Sequence, residues 1–253
     1  MALEARLRAE LPRAYLLAFS RWVCVRARFA EDVVEQAAAS GTGQYVILGA
    51  GLDSFAYRRH DLLGQLRVFE VDHPATQRWK RRRLTELGLA RPPGLVFAPV
   101  DFERQTLREG LEEAGFDFRQ LAVVSWVGVT MYLTLAAIDA TLATLARCRA
   151  GTRVVLTYNQ PPDALAGMTA QIAAAFAGIA TGMGEPFVTR FLPAEIAQLL
   201  HQHGFGELSD FGPEQAHATY FQGRTDIDIA GAQRLIAATV MLALPPNQDS
   251  TRP

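Results

Sequence analysis

Gln44-Tyr45-Val46-Ile47-Leu48-Gly49-Ala50-Gly51-Leu52-Asp53 is a short apolar run that breaks into a Gly-x-Gly turn. Further on, Val68-Phe69-Glu70-Val71-Asp72 is a second apolar run that ends in acid. Glu70 lies 19 residues beyond Gly51 and Asp72 lies 21 beyond it. That is the layout of a nucleoside-binding βαβ unit. The glycines let the backbone approach a ligand, and a carboxylate about 20 residues on accepts hydrogen bonds from ribose hydroxyls.

Working outward, the first run has no polar alternation, which predicts a strand covered on both faces, as in a parallel sheet. Strands are expected at Tyr45–Leu48, Arg67–Val71, Leu95–Ala98, Leu121–Val127 and Arg153–Tyr158. Helical patterns alternate with them. Thr134 caps a stripe of Leu135, Ile138, Leu142 and Leu145, closed by Gly151. Before the first strand, residues 1–40 read as helical: Leu3, Leu7 and Leu11, then a helix from Tyr15 to Ala38 stopped by Gly41-Thr42-Gly43. After Pro161-Pro162 an Ala- and Gly-rich stretch over 164–192 reads as a lid-like insertion. Beyond it we expect a helix from Pro193 to Gly204, strands at Glu207–Phe211 and Ala216–Phe221, and a helix from Ala230 to Leu242. The alternation predicts a doubly wound α/β sheet, with 1–253 as one domain.

The 253 residues are 49% hydrophobic and 20% charged, with 25 basic and 26 acidic residues and a net charge of −1. Nothing in that balance concentrates the positive field a nucleic acid needs. Lys80-Arg81-Arg82-Arg83 reads as the solvated face of a helix. Cys24 and Cys148 lack metal spacing and read as buried thiols of a reduced compartment. Charges interrupt the first twenty residues, and Leu235–Leu244 is too short to span a bilayer. The expectation is a cytoplasmic protein with no membrane partner and no metal site.

A dinucleotide fingerprint wants a third glycine for close helix packing, and Ser54 stands there. Asp53 puts a carboxylate where a pyrophosphate would sit, although it can instead cap the following helix. A fixed negative charge at that turn suits a ligand with a cationic end. S-adenosylmethionine carries an ammonium, a sulfonium and an adenosine, and has no phosphate.

Three stretches then fall in order: the glycine turn with Ala56-Tyr57-Arg58, Val68-Phe69-Glu70-Val71-Asp72-His73-Pro74, and Gly128-Val129-Thr130-Met131-Tyr132-Leu133. Over roughly residues 20–225 the chain resembles the leucine carboxyl methyltransferase-like family and its bacterial branch related to polyketide O-methyltransferases. The resemblance implies the class I methyltransferase fold, a Rossmann-like seven-stranded sheet with one antiparallel strand, and S-adenosylmethionine as cofactor. By that resemblance Gly49, Ala50 and Gly51 approach the methionine portion, and Asp72, with Glu70 as the alternative, holds the ribose. Asp101 and Phe102 bracket the adenine. Arg28, or else Arg26, reaches the methionine carboxylate, and Trp126 ends a strand at the reaction edge. Wider-family members carry an acid aligning at Val127, which this chain lacks. Tyr132 either lines the acceptor pocket or packs the next helix.

The function so implied is an O-methyltransferase acting on a small-molecule carboxylate or hydroxyl. A carboxylate needs no base, whereas a phenol with a pKa of about 10 benefits from one. His73, His201, His203 and His217 occur in no motif that demands catalysis. A protein C-terminal carboxyl methyltransferase, a nicotinamide-dependent oxidoreductase and an inactive cofactor-binding protein are the alternatives. Neither H-E-x-x-H nor G-x-S-x-G occurs.

Overall fold

The computed structural model describes residues 12–102, 104–227, 229 and 231–242. The expectations for Leu3, Leu7 and Leu11 lie outside these residues. Seven strands form one sheet in the order β3-β2-β1-β4-β5-β7-β6: β1 (Gln44–Leu48), β2 (Arg67–Asp72), β3 (Leu95–Pro99), β4 (Ala122–Trp126), β5 (Arg153–Asn159), β6 (Phe205–Phe211) and β7 (Gln233–Val240). The pairs among β1 to β5 are parallel, and β7 runs antiparallel to both neighbours. All five residues of β1 are buried, as the unbroken apolar run requires.

Helices cover both faces. On one face α1 (Arg13–Ala39) buries Trp22, Val25 and Val34 with Tyr45, Ile47 and Val123 of the sheet. On the other, α4 (Leu107–Glu113) and α5 (Leu135–Leu145) bury Leu111, Ile138, Leu142 and Leu145 against Val46, Phe69 and Val124. Each such side chain contributes roughly 1.5–3 kcal/mol by leaving water. Thr134 Oγ1 accepts the Ala137 N–H at 3.2 Å and sets the start of α5, a cap worth about 1 kcal/mol. The helix ends at Leu145, and Gly151, at φ 92°, serves the turn into β5.

The shorter helices are α2 (Phe55–Arg58), α3 (Pro74–Glu86), α6 (Gly167–Gly182), α7 (Pro193–Gln202) and α8 (Pro213–Tyr220). Four expectations are corrected here. The stretch expected as a strand at Ala216–Phe221 is α8. Gly212-Pro213 opens a helix, because proline at the first helical position lacks only a donor that would be unpaired anyway. The stretch expected as a helix from Ala230 to Leu242 contains β7. Its Leu-Ile-Ala-Ala core is buried between β5 and β6, so pairing on both edges overrides the helix preference of alanine. Lys80 departs from its solvated run and is buried, while Arg81, Arg82 and Arg83 stay at the surface. Cys24 is exposed, against expectation, and Cys148 is buried.

α6 lies over α1. Phe19 and Phe176 stack at 4.0 Å between ring centres, and Ala18 and Ile172 close the contact.

Candidate active site

β1 has β2 on one side and β4 on the other, so the strand order reverses beside β1. In open α/β sheets, ligands bind at that switch point, outside the carboxyl ends of the strands. A cleft of about 330 Å³ opens there. It is lined by Gly49, Ala50, Gly51 and Asp53 after β1, by Ser125 and Gly128 at the end of β4, and by Arg26 from α1. Gly49 has φ 68° and Gly51 has φ 49°, a region in which a side chain is disfavoured. A Cβ on Gly49 would stand 2.4 Å from Val129 Cγ2.

Asp72 ends β2 at the same edge. Its carboxylate accepts the Gly51 N–H at 2.6 Å and the His73 N–H at 2.7 Å. An ionised carboxylate has about four acceptor sites, so capacity remains for ligand hydroxyls. The cap of α3 is His73, whose Nδ1 accepts the Ala75 N–H at 3.2 Å. Asp53, one position ahead of the cap residue Ser54, accepts the N–H of Phe55, the first residue of α2, at 2.7 Å, and burial raises its carboxyl above the ordinary range.

Glu70, the alternative to Asp72, faces the same side of β2 but sits deeper. It is 0% exposed and bonds Lys80 Nζ at 2.5 Å. Lys80 also donates to the Asp53 carbonyl at 2.7 Å. The pair therefore supports the glycine turn from below. Burial pushes the Glu70 carboxyl up to about 7, against the pull of Lys80.

The two arginines exchange places. Arg28 is exposed on α1 and pairs with Asp32 four residues on at 2.7 Å. Arg26 is half-buried and lines the cleft. It donates to Gln233 Oε1 at 2.7 Å and has no carboxylate partner among the described residues. Burial lowers its pKa below the ordinary value. Gly128, at φ 79°, leaves room for it: a Cβ there would meet the guanidinium at 3.0 Å.

Trp126 is corrected. The strand alternates, so Ser125 faces the cleft, where its hydroxyl meets Tyr45 Oη at 2.8 Å, and Trp126 turns into the opposite core at 2% exposure. Asp101 is half-buried after β3, and its backbone carbonyl accepts from Arg104 and Gln105. Phe102 is 64% exposed and lines a surface groove with Leu107 of α4 and Ala137 of α5, not the cleft.

Behind the cleft is a smaller chamber of about 150 Å³. Arg26 and Gly128 line both spaces and form the shared wall. Phe19, Trp22, Phe176 and Phe187 give the chamber aromatic sides, and α6 forms one of its walls. Tyr132 lines it too, edge-on to Phe187 at 5.5 Å. Asn159, Gln233 and Arg190 supply polar groups. The sequence reading missed most of these, because they come from α1, α6, β5 and β7 and share no local motif. Among the described residues neither space is lined by histidine. His201, His203 and His217 bond to Phe205, Asp139 and Arg224 instead. No group of three or more metal-ligating side chains occurs among the described residues. No described helix is long and apolar enough to cross a membrane.

Comparison with known proteins decides the family. The leucine carboxyl methyltransferase family matches residues 3–146, more than half of the chain. The chain belongs to the leucine carboxyl methyltransferase family. This member is 33% identical over 202 residues to YktD of Bacillus subtilis, a candidate S-adenosyl-L-methionine-dependent methyltransferase, covering 79% of this chain and 66% of that one. A relative in Mycobacteroides abscessus, named in the same terms, is 35% identical over 170 residues, 66% of this chain and 55% of its own. The chain thus spans about half to two thirds of such relatives' length. The leucine carboxyl methyltransferase family member shares its fold with a DUF574 family protein of Streptomyces avermitilis: TM-score 0.61, 16% identity, 85% of this chain and 82% of that one. It also shares it with human N-acetylserotonin methyltransferase, solved with S-adenosylmethionine: TM-score 0.52, 13% identity, 86% and 56%.

Proposed function

We propose that this chain binds S-adenosylmethionine in the cleft and passes its methyl group to an oxygen of a small molecule held in the chamber. The observation that carries the reading is the shared wall: a glycine-turn cleft and an aromatic-sided chamber meet at Arg26 and Gly128. Methyl transfer is an in-line displacement that needs donor and acceptor held in contact and water kept out.

The residues present fit the cofactor. Arg26 is a half-buried guanidinium without an acid partner among the described residues, and a charge removed from water favours a counter-ion. A planar guanidinium suits the methionine carboxylate. Arg26 therefore takes the role that the resemblance suggested for Arg28. Glu31 and Asp53 line the cleft and would be the carboxyl groups available to the cofactor's ammonium. Asp72 accepts the ribose hydroxyls, and Gly49, Ala50 and Gly51 admit the ligand close to backbone. When bound, the cofactor would supply a methyl carbon on a sulfonium: the acceptor oxygen bonds to that carbon as the carbon–sulfur bond breaks, and the neutral thioether leaves as S-adenosylhomocysteine. The chain then has to position the acceptor, which Tyr132 and the aromatic walls do, and exclude water, which the 164–192 stretch, with α6 inside it, does as a lid. A carboxylate acceptor arrives ionised and needs no base. The size of the chamber favours a small molecule over a protein C-terminus. Residues 1–253 act as one unit in this reading.

The test is calorimetric titration with S-adenosylhomocysteine, with NADH and NADPH in parallel. Micromolar binding of S-adenosylhomocysteine alone supports the reading, and Asp72→Ala should then weaken it by roughly 1–3 kcal/mol. Binding of a nicotinamide cofactor, or of none of the three, would overturn it.

A further inference from the structure

The chamber behind the shared wall has features that narrow its ligand further. Its volume is about 150 Å³. A protein cavity of that size holds roughly one benzene ring, well short of the space a multi-ring ligand fills. Its sides are aromatic: Phe19, Trp22, Phe176 and Phe187. Flat rings pack on such walls edge-on or offset.

Its charge is one-sided. Arg26 and Arg190 line it, and no aspartate or glutamate does among the described residues. Arg190 is half-buried and makes no hydrogen bond or ion pair with a described residue. It lines the chamber and not the cleft. With no acidic side chain on the chamber wall among the described residues, a carboxylate entering the chamber would meet the Arg190 guanidinium without displacing another anion. Arg26 is engaged by the donor in the reading above, which leaves Arg190 for the acceptor.

We infer that the chamber takes a single-ring aromatic carboxylate, its ring between the aromatic walls and its carboxylate on Arg190. The inference rests on the proposed methyltransferase reading and goes beyond it by naming the acceptor's class and its anchoring residue.

The experiment is calorimetry on the full chain, titrated with benzoate, its neutral isostere benzamide and the two-ring 2-naphthoate, with and without S-adenosylhomocysteine. Benzoate should bind at least about tenfold tighter than benzamide, since a charge-assisted hydrogen bond is lost in the amide. It should also bind tighter than 2-naphthoate. Arg190→Gln should bring benzoate down to benzamide while leaving the S-adenosylhomocysteine dissociation constant unchanged. Ala177→Phe, on the chamber side of α6, should abolish benzoate binding and spare S-adenosylhomocysteine, which also shows the variant is folded. Equal affinity for benzoate and benzamide, preference for 2-naphthoate, or benzoate binding indifferent to Arg190→Gln would each overturn the inference. Failure of S-adenosylhomocysteine alone to bind would instead strike the methyltransferase reading, and benzoate titrated in its absence still tests the chamber.

Discussion

Replacing Lys80 with methionine should destabilise the protein in a pH-dependent way. Lys80 Nζ donates to Glu70 Oε2 at 2.5 Å and to the Asp53 carbonyl at 2.7 Å. The two side chains are 4% and 1% exposed. Methionine keeps most of the buried stem but removes the charge and both bonds. Breaking a buried ion pair by removing one partner costs about 3–5 kcal/mol, because the other charge stays in the interior. The cost depends on whether Glu70 is ionised. In the unfolded chain its carboxyl titrates near 4.3, and in the folded wild type it is pushed up to about 7. A carboxyl raised on folding adds stability that is present below the unfolded value and lost as pH rises through the folded one. In the wild type that loss levels off near pH 7, where Lys80 receives the ionised carboxylate. Without Lys80 the carboxyl rises further, so the loss continues above pH 7. Urea unfolding followed by tryptophan fluorescence should show Lys80→Met costing about 1 kcal/mol at pH 5 and about 3–5 kcal/mol at pH 8.5. A companion Glu70→Met should recover most of the deficit at pH 8.5, since apolar replacement of both partners is often neutral. An equal loss at both pH values would refute the reasoning, as would a loss below about 1 kcal/mol at pH 8.5, the scale of one ordinary hydrogen bond.

Three further outcomes follow from the geometry. Gly49→Ala should cost about 1–2 kcal/mol for its left-handed backbone and more for the contact with Val129; thermal unfolding should show the combination with Val129→Ala recovering only the second part. Arg26→Gln should weaken S-adenosylhomocysteine binding at least about tenfold, whereas Arg28→Gln should leave it unchanged, so equal effects would place the wrong arginine at the cleft. Native protein should react with a thiol reagent at Cys24 alone, because Cys148 is buried and its thiol is pushed up to about 12; two rapidly labelled thiols in the native state would contradict the packing of Cys148.

Along the chain, the central strands were legible because burial on both faces leaves an unbroken apolar run, as in β1 and β2. The glycine turn and Asp72 were legible because their roles depend on local backbone freedom and fixed spacing. Local sequence did not reveal β7, whose alanines prefer helix until two neighbouring strands pair with it. It misplaced Trp126 as well: the residue stands at the right height on β4, but alternation turns it to the far face. Lys80 looked like one cation of an exposed run, and only the approach of β2 to α3 gives it Glu70 as a partner.

The sequence by itself determined the βα turn, the acid at the end of β2 and the family to which they belong, since those depend on contacts within some 25 residues. Only the tertiary structure decided that Arg26 and not Arg28 faces the cleft. The two sit on one helix, and which of them turns inward depends on how α1 lies across the sheet. The chamber is likewise tertiary. Phe19, Tyr132, Phe176, Arg190 and Gln233 are far apart in sequence, and meet because α1, α6 and the strand order bring their side chains to one end of the sheet.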